Sequence, residues 1–287
     1  MESWHVDFSR DDGVGGFVQL GRRPCRSTAY FWGWLVGPGI GHVVVRDDET
    51  PPPSDSALEI RAGGLWAELT CETPFEHWGV GLEALGVRLD EPGDVFRGER
   101  GERVAVGLDL DWEADGDVFS YPEPGDGSAG HDQQPGTVQG EILLDDERIA
   151  FSGRGERDHS FGPRDWWSTP WHWAAWQTPD GHATSVLSYG GDSFVTGYLS
   201  DPRDETHVVE ALRVESHTDA EGFPTAARYV VNHDTEIDVE VLSLTATPVV
   251  ADDGRTSRYL RALCRFLGDG TGGTGGTGWA EWLVPPR

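Results

Sequence analysis

The chain has 287 residues, of which 50 are acidic and 22 basic, every one of the latter arginine, for a formal net charge of −28. A surface this negative repels phosphate backbones and anionic headgroups, which makes nucleic acid and anionic membrane poor partners. Hydrophobic residues make up 37%, but 13 Trp and 11 Phe place much of the apolar volume in rings, and the length suffices for one large β domain or two smaller ones.

The carboxylates are spread along the chain rather than gathered in a tail, a pattern that suits an acidic halophilic protein in a salt-rich cytosol. Cys25, Cys71 and Cys264 are too few, and wrongly spaced, for a disulfide framework or a zinc cluster. The start, MESWHVDFSRDD, has neither a basic cluster nor an apolar run, so no signal peptide is expected. No stretch has the length of a membrane span. A cytoplasmic protein is the expectation.

In chain order, residues 30–36 and 42–46 read as strands, and the prolines at 51–53 mark a surface turn. Near-perfect alternation follows in residues 58–72, 78–89 and 104–112, with β-branched or aromatic residues between turn signals. Residues 115–134 are rich in Gly, Pro, Asp and Ser and read as a mobile loop or linker. Strand pattern resumes at 137–144, turns at Asp145–Asp146, and continues at 148–152. Further strands are expected at 184–189, 193–199, 208–215, 227–231, 237–244, 258–266 and 279–284. Between the last two, residues 270–278, GTGGTGGTG, read as a disordered or flapping loop. No segment carries a 3.6-residue apolar period of helical length. Many short strands at even spacing predict an all-β fold of barrels or sandwiches. The division is placed after residue 145, giving domains 1–145 and 146–287.

The chemistry concentrates in residues 153–176, GRGERDHSFGPRDWWSTPWHWAAW. Strand alternation sets Asp158 opposite Arg157 and His159. A carboxyl or imidazole buried beside rings acquires a shifted pKa and can serve as acid or base. Asp165, next to Trp166 and Trp167, is expected to be desolvated and protonated near neutral pH. Such an acid suits protonation of an alkene, with Trp166, Trp167, Trp171, Trp173 and Trp176 shaping the cavity and screening the cation. The competing reading makes Arg157, Arg164, Asp158 and Asp165 part of a structural ion-pair cluster, and the rings core. Trp171 and Trp173 should share one strand face, with His172 on the other. His159, His172 and Asp165 do not form a local ligand motif, so no metal is expected. Ser160 lacks a GxSxG elbow, and there is no Walker loop or GxGxxG, so no nucleotide or other cofactor is expected. Trp66 and Trp78, with His77 and nearby glutamates, form a second patch, read either as the opposite wall of the pocket or as a closed strand corner.

At residues 155–167, GERDHSFGPRDWW, the sequence resembles the carotenoid 1,2-hydratase (hydroxyneurosporene synthase-like) superfamily, and more closely its relatives with a G-x-RDHSWG-x-RDWW motif. Phe161 stands where those relatives have Trp. LWAELTCETPFEHWGVGLEAL upstream, GFPTAA at 222–227 and GWAEWLVP near the end extend the likeness. The resemblance implies two consecutive lipocalin-like antiparallel β-barrels or sandwiches packed together, with a ligand cavity within or between them. It also implies acid-initiated hydration or cyclisation of isoprenoids, and carries Asp158, His159 and Asp165 over as catalytic candidates. The combined expectation is a cofactor-independent hydratase or cyclase acting on a hydrophobic, isoprenoid-like molecule. Asp158 or Asp165 is the acid, His159 orients it or relays the proton, and Arg157, Arg164, His172 and the tryptophans line the site. The alternative is a non-catalytic carrier or sensor of a lipophilic ligand.

Overall fold

Alternating side chains and frequent turn residues build twenty strands and only two short 3-10 helices (Pro24–Arg26 and Pro92–Arg97) among the described residues. The structure, a computed structural model, describes all residues except 54–56, 99, 123–126, 192, 203–205, 269–274 and 287. The strands of the first half are β1 Glu2–Ser9, β2 Gly15–Arg23, β3 Thr28–Gly37, β4 Gly41–Thr50, β5 Leu58–Ala62, β6 Leu65–Thr73, β7 His77–Leu89, β8 Glu102–Ala114, β9 Phe119–Ser120, β10 Gly130–Leu144 and β11 Glu147–Phe161. Those of the second are β12 Trp171–Gln177, β13 Ala183–Tyr189, β14 Phe194–Ser200, β15 His207–Val208, β16 Leu212–Thr218, β17 Pro224–Val231, β18 Thr235–Val250, β19 Thr256–Gly268 and β20 Gly276–Val284. The fold is all-β, and its two sheets are antiparallel throughout, as expected for lipocalin-like units.

The first sheet runs β4-β3-β2-β1-β11-β10-β8-β7-β6-β5, and a further pairing of β4 with β7 closes eight of its strands into a ring. Strand β7 serves two partners: it pairs with β6 from His77 to Ala84, then with His42–Val44 of β4 through Val87–Leu89. Gly86 lies at the change-over, where a Cβ would approach the Val44 carbonyl to 3.0 Å. An eight-stranded ring is just wide enough to be filled by its own side chains. Val6, Phe8, Leu20, Phe31, Leu108 and Ile142 are among those that fill it. Around Leu35 and Leu82 the packing leaves room for no more than a water molecule. The second sheet runs β15-β14-β13-β12-β20-β19-β18-β17-β16 and curls until β16 approaches β13, a half-barrel.

The chain packs as two units. One comprises Met1–Arg10, Val14–Asp94 and Glu99–Pro163; the other comprises Asp11–Gly13, Val95–Gly98 and Arg164–Arg287. The expected boundary after residue 145 therefore falls inside the β10–β11 hairpin, where Leu144 faces Glu147. Strand β11 is held between β10 and β1, which keeps it in the first unit through Pro163. The RDHSFGPRDWW stretch is thus divided: Arg157–Pro163 belongs to the first unit and Arg164–Trp167 to the second.

Two loop expectations change. Residues 115–134 contain β9 and the start of β10; Gln133 and Gln134 are buried polar strand residues, so apolar alternation gives no sign of them. Of residues 270–278, positions 270–274 lie outside the described residues, whereas 276–278 form the start of β20.

The motif's first glycine has a steric reason. At Gly155 a Cβ would sit 1.9 Å from the Asp7 carbonyl oxygen. At the same point the Asp7 carboxylate accepts the Glu156 N–H at 3.0 Å, so a side chain stands in for part of the β1–β11 ladder.

Candidate functional site

Alternation along β11 sends Asp158 and Ser160 to one face, and Arg157 and His159 to the other. Across the ladder, Asp158 lies between His5 of β1 and Gln133 of β10, and Gln19 of β2 follows His5. This outer face is buried yet polar: Ser3, His5, Asp7, Gln19, Gln133 and Ser160 are all nearly inaccessible. Such a row is unusual in a β protein, because each polar group taken from water needs a partner.

Asp158 finds two. Its Oδ2 accepts hydrogen bonds from His131 Nε2 and, at 2.9 Å, from Gln133 Nε2. Tyr121 in turn donates its hydroxyl to Gln133 Oε1 at 2.8 Å and sets its ring edge-on to His131, 4.2 Å between centroids. Burial pushes the Asp158 carboxyl upward, but the His131 charge and hydrogen bond, the Gln133 amide and the nearby His5 outweigh it. The net effect holds Asp158 ionised, far below the usual carboxylate range. An ionised carboxylate only accepts, so His131 must donate from Nε2, and this fixes its tautomer. Its Nδ1 has no partner among the described residues and is not sealed from solvent. The result is an imidazole with one nitrogen anchored on a carboxylate and the other open, the geometry of a general acid–base pair.

His159 does not take part in this pair. It faces the other side of the sheet, 3.1 Å from Glu2 Oε1, with its ring stacked on Trp4 at 5.0 Å. Arg157 also faces that side, among the rings of Phe75, Trp78 and Trp112. Trp66 and Trp78 do not form one wall. Trp78 pairs across the ladder with the fully buried Trp112, whereas Trp66 alternates to the opposite face of β6, where its indole donates to Glu59 at 2.8 Å.

In the second unit, Asp165 is not the desolvated acid expected from its neighbours. Its Oδ1 accepts the N–H groups of Trp167 and Ser168, each at 3.0 Å, in a water-accessible turn. The Trp167 amide first, then Ser168, lowers its pKa, so it too is ionised near neutral pH. Arg164 stacks over Trp166, which is buried against Trp171 and Tyr259. The Trp167 indole donates to the Val249 carbonyl at 3.0 Å.

Trp171 and Trp173 share a strand face, with His172 on the other. On the first face Glu281 accepts from the Trp171 indole at 2.5 Å and from the Tyr259 hydroxyl at 2.6 Å, and pairs with Arg261 at 3.4 Å. The Arg261 guanidinium lies 4.9 Å from the Trp173 ring. On the second face His172 meets the Tyr229 hydroxyl at 2.8 Å, and Trp176 stacks on Phe266 at 4.4 Å. Here burial is the largest influence on the titratable groups: it raises Tyr229 and Cys264 and lowers His172 to about 3.

The buried His172 predicts an acid-sensitive protein. The unfolded imidazole takes up a proton near its ordinary 6.5, whereas the folded one resists until about 3. Between those values the unfolded state binds more protons, so stability rises with pH and is lost as pH falls below 6.5, at up to about 1.4 kcal/mol per pH unit. His172→Gln should flatten that limb of a stability–pH curve measured by urea denaturation. An unchanged slope would place the proton uptake elsewhere.

The residues that reading the sequence missed are His131, Gln133, Tyr121 and His5. The first three lie in or beside the stretch read as a linker, and His5 in a segment too mixed to show a period. The only available signal was a His and two Gln next to one another before a strand, which is too common a pattern to single out.

A family model described as "Domain of unknown function (DUF7064)" matches residues 1–286. No curated protein matches the sequence. Among solved structures, a candidate AttH of Nitrosomonas europaea superposes with a TM-score of 0.65 at 13% identity, covering 100% of this chain and 93% of its own. Kievitone hydratase from Nectria haematococca gives 0.61 at 12%, covering 99% and 88%. CghA gives 0.52 at 13%, covering 100% and 88%. At such identity these likenesses establish the fold and leave the activity to be argued from the site.

Proposed function

The chain belongs to the DUF7064 family, and from that premise we propose that it is an enzyme of hydratase or cyclase type acting on a hydrophobic small molecule. The observation that carries this reading is the His131–Asp158 pair, an imidazole oriented by a half-buried ionised carboxylate and open at its second nitrogen. His131 transfers the proton. Asp158 stays ionised, holds the imidazole in one tautomer and stabilises the imidazolium that forms. This reverses the roles expected from the sequence, where Asp158 or Asp165 was the acid. Both carboxyls are held ionised by their hydrogen bonds and have no proton to give near neutral pH. The fold shared with a protein named for hydration supports the reaction type, and the superfamily resemblance supports an isoprenoid-like substrate. The reaction needs no redox step: His131, protonated at Nδ1 from solvent, gives that proton to one alkene carbon, water or an internal carbon bonds to the neighbouring cationic carbon, and the proton lost from that water or from the cyclised cation returns to Nδ1.

The test is incubation with a lipid-soluble extract of the producing cells in deuterated water, followed by mass spectrometry. Wild type should yield a product with deuterium bound to carbon, heavier by one water if a hydratase and of unchanged formula if a cyclase. His131→Gln should yield none. Recovery of an unaltered, unlabelled lipid from wild type would instead make the protein a carrier, and labelling undiminished in the variant would remove His131 from the chemistry.

A further inference from the structure

On the barrel-facing side of β11, opposite Asp158, Arg157 is only 4% exposed and has no carboxylate within ion-pairing distance among the described residues. That is anomalous in a chain with 50 acidic residues. A buried guanidinium normally takes a carboxylate, because desolvating an uncompensated charge is costly. Here Asp158, Asp132 and Glu156 act on it only through space. Among the described residues its one hydrogen bond is from Nη2 to Gln134 Oε1, at 3.3 Å. Nε is buried without a partner among the described residues, and Nη1 has none among them either but is not sealed from solvent. The indole N–H groups of Trp78 and Trp112, whose rings lie 5.6 and 5.7 Å from the guanidinium carbon, are also buried and unsatisfied.

The surroundings hold the group in place rather than neutralise it. Gln134 is itself pinned, its amide donating to the carbonyls of Phe75 at 3.0 Å and Gly116 at 2.9 Å. Phe75 lies over the guanidinium at 5.5 Å, with half its own surface (51%) open to water. Its φ is +61°, a left-handed conformation that a bulky residue adopts only when the surroundings impose it. An exposed ring held in a strained turn above an uncompensated cation is an odd arrangement for packing alone. It fits a half-built binding site.

We propose that Arg157, with Phe75, Trp78, Trp112 and Gln134, forms a binding site for a carboxylate carried on an aromatic or otherwise flat apolar molecule. The carboxylate supplies the missing counter-charge and accepts from the guanidinium. The apolar body lies against the exposed ring of Phe75. A carboxylate is favoured over a phosphate because one guanidinium with flat ring neighbours matches a planar, singly charged group. The site is independent of the His131–Asp158 pair, from which the sheet separates it.

Isothermal titration with 1-naphthoate tests this, with 1-naphthylmethanol as the uncharged control and 1-naphthyl phosphate as the phosphate arm. Naphthoate should bind wild type saturably, and the alcohol at least about tenfold more weakly, the usual loss when a charge-assisted hydrogen bond is removed. Arg157→Gln should weaken naphthoate by a similar factor. Phe75→Gly, which the left-handed backbone accepts without strain, should fold and also weaken it. If Arg157→Gln fails to fold, the alcohol control and Phe75→Gly still decide. The assignment is overturned if naphthoate does not bind, if the alcohol binds as tightly, if either variant binds like wild type, or if the phosphate alone binds.

Discussion

Glu281→Ala is expected to destabilise the protein by about 3–5 kcal/mol, the cost of breaking a buried ion pair from one side. Glu281 is 7% exposed and is bonded through both oxygens: Oε1 to the Trp171 indole, Oε2 to Tyr259 and Arg261. Deleting the carboxylate removes the acceptor of the half-buried Trp171 indole and the buried Tyr259 hydroxyl, and leaves the Arg261 guanidinium facing the Trp173 and Trp279 rings without that carboxylate. Glu281→Gln should cost less, since an amide oxygen can still accept from Trp171 or Tyr259. Urea denaturation separates the two variants. A loss below about 1 kcal/mol for Glu281→Ala would mean that the pair behaves like a solvated one. The same network explains why the tryptophans of residues 166–173 cluster. Several of these rings wall in a charged group, and they are held by it in return.

Asp158→Asn should leave the fold in place and reduce turnover by about 10²–10⁴-fold, the range for loss of positioned acid–base catalysis. The amide is nearly isosteric, but its NH₂ competes as a donor, so the carboxylate no longer fixes His131 as the Nε2–H tautomer. The pH dependence should change as well. Asp158 is depressed well below its unfolded value, so its contribution to stability is complete above about pH 4 and is lost as pH falls through the lower, native value. Asp158→Asn removes that low-pH component and leaves the His172 component between about 3 and 6.5 untouched. Turnover within a factor of two of wild type, in a folded Asn variant, would reduce the pair to a structural role. Asp158→Ala, by contrast, strands the donors of His131 and Gln133 and should cost about 1–3 kcal/mol in stability besides.

The sequence by itself determined the strand content, because alternation and turn residues are local properties. It determined the aromatic character of the interior, because Trp and Phe are the apolar mass available. It also determined which face of β11 each side chain takes: Asp158 against Arg157 and His159, and likewise Trp171 and Trp173 against His172, follow from a period of two. Partners were beyond it. Asp158 is bonded not to the adjacent His159 but to His131, 27 residues away, because hairpin register places β10 beside β11. Its charge followed from those partners and not from the neighbouring tryptophans, and Asp165, beside two of them, is ionised because backbone amides reach it first. The division of the RDHSFGPRDWW stretch between two units depended on β11 being claimed by β1 at the other end of its unit. Nor could Arg157 be recognised as lacking a counter-ion while carboxylates stood on both sides of it in the chain. Adjacent strand residues point apart, so closeness in sequence says little about contact, and only the sheet register decides which charges meet.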